Sequence, residues 1–186
     1  MSKIYDAIIN SNTSYIIIEY NTLYIYNTSY KIDDIEIKYL SDAMKNNHNI
    51  KYIGIIDTKL NDVSIKYLFN AINEMSKISK TFILRNMKIS DMGMKYWSSA
   101  LKYNNNISQL ILHETKISDI GMKYLTNALK YNKNINKLIF HNIKINNIGI
   151  KNLNKALKEN KTITKLHMFN NKITNRGIIE LCNMFS

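Results

Sequence analysis

The side chains best suited to chemistry in this sequence are three histidines that recur at nearly regular spacing. His141 follows His113 by 28 residues and His167 follows His141 by 26, while Glu114 stands beside the first of them. Imidazoles on two neighbouring strands could share a zinc ion, because zinc is bound by histidine nitrogen and cysteine sulfur. The third histidine is offset by two residues, however, and Cys182 is the only cysteine. We therefore predict no metal site and no cofactor.

Signatures of catalysis do not occur in the sequence. It has neither a glycine-rich phosphate loop nor a nucleophile motif. Asp33 and Asp34 are adjacent, but they precede a helical pattern, where aspartate commonly caps the helix. We therefore predict that the protein is not an enzyme and that it has no catalytic residues.

Charge and composition narrow the class of partner. The formal net charge of +12 would suit a nucleic acid or another acidic partner. Nearly all of this charge is lysine, however, and proline is absent. An excess of Asn, Lys, Ile and Tyr is typical of AT-rich coding DNA, as in some protists and the giant viruses of amoebae, so genome bias explains the charge equally well. Without an apolar run of about 18 residues or a signal-peptide pattern, we predict no membrane span and an intracellular, cytoplasmic protein (in the host cytoplasm if viral).

Most of the sequence is one segment repeated with a period of 28 residues. Gly93, Gly121, Gly149 and Gly177 are evenly spaced, and a large apolar residue follows each glycine by four positions. Upstream of each glycine, two apolar residues alternate with others as in a strand, and an isoleucine follows five residues later. Two more divergent copies precede these four. Agreement over so many columns indicates a repeat architecture.

Each repeat predicts a short strand, a turn and a helix of about three turns. We expect a repeat domain at residues 22–186, with units at 22–49, 50–78, 79–106, 107–134, 135–162 and 163–186, the last of them cut short. Residues 1–21 are expected to form an N-terminal cap with a short helix and one strand. A column of Asp or Asn precedes each helix and is expected to cap it: Asp34, Asp62, Asp91, Asp119, Asn147 and Asn175.

The repeat resembles a known family. Residues 107–117, I-x-x-L-x-L-x-x-T-x-I, resemble the leucine-rich repeat, L-x-x-L-x-L-x-x-N/C-x-L. The period and residues 121–129, G-x-x-x-L-x-x-A-L, resemble its ribonuclease-inhibitor-like class, which NOD-like receptors and the Ran GTPase-activating protein share. The resemblance implies an α/β solenoid, a curved arc with a parallel β-sheet on the concave face and α-helices on the convex face. Since no unit can bury its own apolar face, the units must stack.

One column departs from the family pattern. The family's Asn or Cys normally forms hydrogen bonds with backbone between neighbouring strands, and here the column reads Thr58, Met87, Thr115, Ile143 and Asn171. Threonine can replace part of such a ladder, whereas methionine and isoleucine cannot. We therefore expect looser turns at Met87 and Ile143 and only modest stability.

Function is expected on the concave face, where the strand residues between the core leucines point to solvent. Three isoleucines in neighbouring strands form an apolar stripe bordered by Arg, His and Phe, and aromatic residues and arginine are enriched at interface hot spots. We predict a non-catalytic module that binds a protein partner through Ile83, Arg85, Gln109, Ile111, His113, Glu114, Ile139, His141, His167 and Phe169. Isoleucine is also a common strand residue, so the stripe is open to an explanation without any ligand.

The convex face offers an alternative, which is binding of nucleic acid or an anionic surface. One lysine column, Lys38, Lys66, Lys95, Lys123 and Lys151, is followed by tyrosine in four of the five units. Lysine and aromatic side chains can contact phosphates. Tyrosines packed between helices and covered by lysine stems explain the pattern as well, and a chain with two arginines is poorly suited to groove recognition. Self-association through the open last repeat is a further alternative.

Overall fold

The computed structural model of the protein describes residues 14–19, 22–27, 34–45, 50–75 and 80–182. In these ranges the strands are β1 Ser14–Glu19, β2 Thr22–Asn27, β3 Tyr52–Ile56, β4 Lys80–Arg85, β5 Ile107–His113, β6 Lys137–His141 and β7 Lys165–Phe169. The helices are α1 Asp34–Lys45, α2 Asp62–Glu74, α3 Asp91–Tyr103, α4 Asp119–Tyr131, α5 Asn147–Glu159 and α6 Asn175–Cys182. None of these helices combines the length and the apolar character needed to cross a bilayer.

The strands form one sheet in chain order, with β1 at one edge and β7 at the other. β1 pairs antiparallel with β2, and every later strand pairs parallel with the one before it. A helix connects each parallel pair, and consecutive helices pack against each other. The short helix expected before β1 lies outside the described residues.

The spacing of the two layers bends this stack. Hydrogen-bonded strands lie about 4.8 Å apart, whereas packed helices lie about 8–10 Å apart. The sheet therefore occupies the inner, concave side and the helices the outer, convex side, as the repeat pattern predicts.

The core lies between the sheet and the helices and is built from every second strand residue. In β5, Leu110 and Leu112 are fully buried against the helices, whereas Ile111 on the opposite face is half-buried. Trp97 of α3 occupies the column that holds leucine in the following repeats, and its ring centroid lies 5.2 Å from that of Phe69. These contacts cross from unit to unit, so the core is continuous along the stack.

The helix caps lie one position earlier than the sequence predicts. Ser90 has extended backbone (φ −68°, ψ 164°), and its hydroxyl accepts a hydrogen bond from the amide of Gly93 at 2.9 Å. The equivalent Ser or Asn does the same in α2, α4 and α5. The predicted column is instead the first residue of each helix, where the Asp91 carboxylate accepts a hydrogen bond from Ser118 of the next unit. The prediction was wrong by one residue. The aspartates join neighbouring units, and their negative charge also stabilises the helix N-terminus, which carries partial positive charge.

The turns after the strands are joined by side chains in some repeats and by packing in others. The hydroxyl of Thr115 donates to the carbonyl of Leu84 at 3.2 Å, and the Asn171 amide donates to the equivalent carbonyl of the preceding unit at 2.8 Å. Threonine thus replaces part of the family's ladder, as expected. Met87 and Ile143 are buried, 3% and 2% exposed, so apolar contact takes the place of that hydrogen bond.

A second ladder joins the turns that follow the helices. Asn132 is fully buried at the end of α4, and its Nδ2 donates to the carbonyls of Leu101 and Asn104 in the preceding unit, at 2.7 and 3.0 Å. Its Oδ1 accepts from the amides of Asn134 and Ile135, at 2.9 and 2.8 Å. The equivalent asparagine after α5 makes the same four kinds of contact. These asparagines therefore hold successive units together.

Candidate binding face

Parallel pairing places the predicted contact residues in straight rows across β4 to β7. Residues at matching positions are aligned strand by strand. The first row is Thr81, Gln109, Lys137 and Lys165, the middle row is Ile83, Ile111, Ile139 and His167, and the last row is Arg85, His113, His141 and Phe169. Nine of the ten residues predicted from sequence lie in these rows, and Glu114 follows the last row by one residue. The rows share the face of the sheet opposite the helices, which we call the concave face.

The last row forms a cluster of rings. The ring centroids of His113 and His141 lie 4.3 Å apart, and the ring of Phe169 stands edge-on to His141 with a centroid distance of 6.2 Å. His167 of the middle row approaches Phe169 at 6.1 Å. Phe169 is 52% exposed although it is large and apolar. The cluster is therefore an aromatic surface that also presents imidazole nitrogens.

The protonation of His113 is disfavoured by its position. Its Nδ1 is enclosed and lies 3.4 Å from a carboxylate oxygen of Glu114, without the geometry of a hydrogen bond. Burial lowers the pKa of His113, and the neighbouring His141 and Arg85 lower it further, while Glu114 opposes them. We conclude that His113 is neutral at pH 7 and adds polarity rather than charge to the face.

The middle row supplies an apolar strip. Ile83, Ile111 and Ile139 are half-buried, since each is flanked by side chains of the neighbouring strands. The row continues to β3 at Gly54, where an added Cβ would lie 2.6 Å from Cδ1 of Tyr24, so that ring covers the glycine. Tyr24 was not among the residues predicted from the sequence. It occupies the same column in β2, and a glycine among isoleucines was the available signal.

Charge on the concave face is concentrated at its ends. Arg85 is exposed at one end of the last row, and Lys137 and Lys165 stand together in the first row on β6 and β7. Asp57 and Glu114 are the exposed acids in the turns that follow β3 and β5. The strip of isoleucines thus runs between basic groups on β4 and on β6–β7.

Glu114 belongs to a turn that the sequence did not reveal. The residue after each of the strands β3 to β7 has positive φ, and that of Glu114 is 54°. Its amide donates to the carbonyl of His141 at 2.8 Å, which extends the ladder one residue beyond the strand. Asn or Asp tolerates this left-handed conformation and occupies the other four positions. Glu114 is therefore fixed by the turn, with its side chain beside His113 at the rim of the face.

The histidines do not converge on one point. His167 pairs in register with Ile139 rather than with His141, because of its two-residue offset. The Asn170 amide lies 3.0 Å from Nε2 of His141, where it can donate a hydrogen bond to the ring nitrogen. No group of three or more His, Cys, Asp or Glu side chains suited to a metal ion occurs in the described ranges. Cys182, for its part, is exposed.

On the convex face, lysines and tyrosines contact each other across neighbouring helices. Nζ of Lys66 lies 5.8 Å from the ring centroid of Tyr96, and Nζ of Lys102 lies 4.3 Å from that of Tyr131. Ammonium groups at these distances from an aromatic ring are attracted by its π face. These lysines therefore help to join the helices, as the packing explanation of the pattern expected.

Comparisons with known proteins agree with the geometry. Residues 159–182 match the family model described as Leucine Rich repeat, and no curated protein matches the sequence. Among solved structures, the chain is similar to "Leiomodin-1 Actin-Binding Site 2 (ABS2)", with 20% identity, a TM-score of 0.50, and coverage of 82% of this chain and 72% of that one. At this identity the likeness concerns the fold. Together with the sheet and helix order, these matches identify the protein's fold as an α/β solenoid of the leucine-rich-repeat type.

Proposed function

We propose that the protein is a non-catalytic interaction module that binds a protein partner through its concave face. One observation carries the proposal. Ile83, Ile111 and Ile139 stand in register beside the ring cluster of the last row, on a face that the described helices leave open. Paired strands hold these side chains in place, so little conformational entropy is lost when a partner binds.

The charges suggest which partner would fit. Apolar side chains would contact the isoleucine strip and Phe169, and acidic side chains would pair with Arg85 at one end or with Lys137 and Lys165 at the other. Arginine and aromatic residues are the types most enriched at interface hot spots. We therefore expect a protein segment with an apolar centre and acidic flanks.

The structural neighbour supports the same class of function. The leiomodin-1 structure is named for an actin-binding site, so a solenoid of this kind can present a protein-binding surface. We carry over the protein-binding role and not that partner. We further assign the units to the ribonuclease-inhibitor-like class, from their period and the G-x-x-x-L-x-x-A-L pattern, with residues 1–21 as a cap and 22–186 as the repeats. Nucleic-acid binding by the convex face is not proposed, because Lys102 and Lys130, in the last turns of α3 and α4, contact a tyrosine ring instead.

Peptides selected on the wild-type protein from a random display library test the proposal. The selected peptides should combine apolar and acidic residues. Ile111→Asp and His141→Asp should each weaken their binding at least tenfold, about 1.4 kcal/mol, because each places a negative charge where an apolar or acidic side chain docks. Equal affinity for the wild type and both variants would overturn the proposal.

One control variant and one further test variant separate a loss of binding from a loss of folding. Tyr103→Asp alters a residue that is 78% exposed on α3, away from the concave face, and should bind the peptides as the wild type does. Arg85→Glu alters an exposed side chain of the last row and should weaken binding without disturbing the core. Urea unfolding of each variant shows whether a loss of binding follows from a loss of structure.

A further inference from the structure

An exposed apolar row runs along the edge of the solenoid where strands lead into helices. The second residue of each helix from α1 to α5 is apolar, and these five side chains are between 46% and 63% exposed. They are Ile35, Val63, Met92, Ile120 and Ile148, which we call the edge row. Single exposed apolar residues are ordinary, but a repeated row of them commonly marks an interaction surface.

Two rows of exposed lysines flank the edge row. In the turns before the helices stand Lys59, Lys88, Lys116, Lys144 and Lys172, which we call the turn lysines. On the helices, three residues after each member of the edge row, stand Lys38, Lys66, Lys95, Lys123 and Lys151, the helix lysines. Residues three apart on a helix are neighbours on its surface, about 5–6 Å between Cβ atoms. Each member of the edge row therefore has a lysine beside it on the helix surface, and from α2 to α5 the turn that precedes its helix carries another.

Lys66 of the helix lysines also approaches the Tyr96 ring of the next helix, but pairing between neighbouring turns does not explain the charge of the turn lysines. Lys88 and Lys116 pair as a parallel bridge between neighbouring turns, which places their backbones about 4.8 Å apart. Like charges directly opposite each other on neighbouring strands repel, so Lys88 and Lys116 do not stabilise each other.

The acids of this edge are few and already engaged. Four aspartates begin helices there, and those of α1 to α4 accept hydrogen bonds from a side chain of the next unit. The ten lysines outnumber these four aspartates together with Asp57 and Glu114, which lie in the same turns as Lys59 and Lys116, so this edge is positively charged. In α5 and α6 the column changes to Asn147 and Asn175, so the excess is greatest toward those helices.

We propose that this edge binds the surface of an anionic phospholipid membrane. The edge row would enter the boundary between headgroups and acyl chains, and the flanking lysines would contact lipid phosphates and carboxylates. A nucleic acid would match the lysines but not the apolar row between them. The repeat extends the same combination in a line along the stack, which suits a wide surface. This site is separate from the concave face, and the proposal of membrane binding does not depend on the proposed protein partner.

Vesicle co-sedimentation of the full chain tests the inference. Vesicles of phosphatidylcholine mixed with phosphatidylserine should bind the protein, and vesicles of phosphatidylcholine alone should bind it at least tenfold less. The double variant Ile120→Ser, Ile148→Ser should lower binding to the mixed vesicles several-fold while leaving the net charge unchanged. Absence of binding to the mixed vesicles at low salt would overturn the proposal.

A matched charge variant tests whether the edge, rather than total charge, is responsible. Lys95→Gln, Lys123→Gln and Lys151→Gln together should lower binding at least tenfold. The control replaces three exposed lysines outside this edge by glutamine: Lys133 after α4, Lys161 after α5, and Lys158 at the end of α5. This triple variant should bind the mixed vesicles within about twofold of the wild type. Equal losses in the two triple variants would mean that charge alone acts and would overturn the proposal. Ile111→Asp should bind vesicles normally, which separates this outcome from failure of the concave-face proposal.

Discussion

Replacing Asn132 by alanine should destabilise the solenoid strongly although the residue lies in a turn. Its side chain is fully buried and uses all four of its hydrogen-bonding positions, two toward the preceding unit and two within its own. Alanine leaves two carbonyl groups and two amide groups without these partners. Each lost bond costs about 1 kcal/mol net, and more where the partner is left buried and unsatisfied.

The expected loss in free energy of unfolding is therefore about 3–5 kcal/mol. The total stability of a folded domain is about 5–15 kcal/mol, so this single change removes a large share of it. For a chain of this size, 1 kcal/mol corresponds to about 2–4 °C in Tm, which gives a fall of about 6–20 °C.

Urea unfolding followed by circular dichroism measures the loss, and Asn127→Ala is the matched control. Asn127 is exposed on α4, where substitution should change stability by no more than about 0.5 kcal/mol. Because stacked repeats can unfold in parts, amide hydrogen exchange adds a local measurement. The amides of Asn134 and Ile135, which donate to Oδ1 of Asn132, should lose protection in Asn132→Ala. Unfolding energies within 1 kcal/mol of the control, with both amides still protected, would refute the ladder.

Three further changes test packing, titration and the turn ladder. Replacing glycine by alanine inside a helix normally raises the free energy of unfolding by about 1 kcal/mol. Gly149→Ala should instead lower it by about 1–3 kcal/mol in urea unfolding, because the new Cβ would lie 2.5 Å from Cγ1 of Ile145. A gain in stability would contradict this expectation. Burial lowers the pKa of His113 below its value near 6.5 in the unfolded chain. The contribution of His113 to the free energy of unfolding should therefore be complete above that pH and should decrease as the pH falls toward the pKa of the folded state. His113→Gln should flatten this dependence of Tm as the pH falls below about 6.5, and an unchanged slope there would show that another group is responsible. Thr115→Val should cost about 1 kcal/mol by removing the hydroxyl that donates to Leu84, and unfolding at the same urea concentration as wild type would count against that bond.

Repeat spacing was enough to predict which concave residues would be neighbours. Once Leu110 and Leu138 are placed at equivalent positions, strand geometry fixes the intervening side chains, and Ile111 and Ile139 pair as expected. By the same strand geometry, His167 lies beside Ile139 and away from a common site with the other histidines. Period and alternation are properties of the chain, so the order of its residues is enough to reveal them.

Other features depended on backbone conformation and could not be located from residue types. Asp91 and Ser90 are both good capping residues, and the extended backbone of Ser90 decides between them. Lys80 would be expected in solvent, yet it is fully buried at the start of β4. The positive φ of Glu114 is another such case, since its residue type does not suggest a left-handed turn.

The repeat, the layer order and the residues that share the concave face can be read from the order of residues, because each follows from a fixed period acting on helix and strand geometry. How one unit is joined to the next depends on the folded structure. The two carbonyl groups that accept from Asn132 lie about thirty residues away in the preceding unit, at the end of α3 and just after it. The edge row became visible in the same way, since exposure is a property of the stacked units and not of an isolated residue. Contacts between repeats depend on where backbone groups meet in space, and the pattern within one repeat does not contain that information.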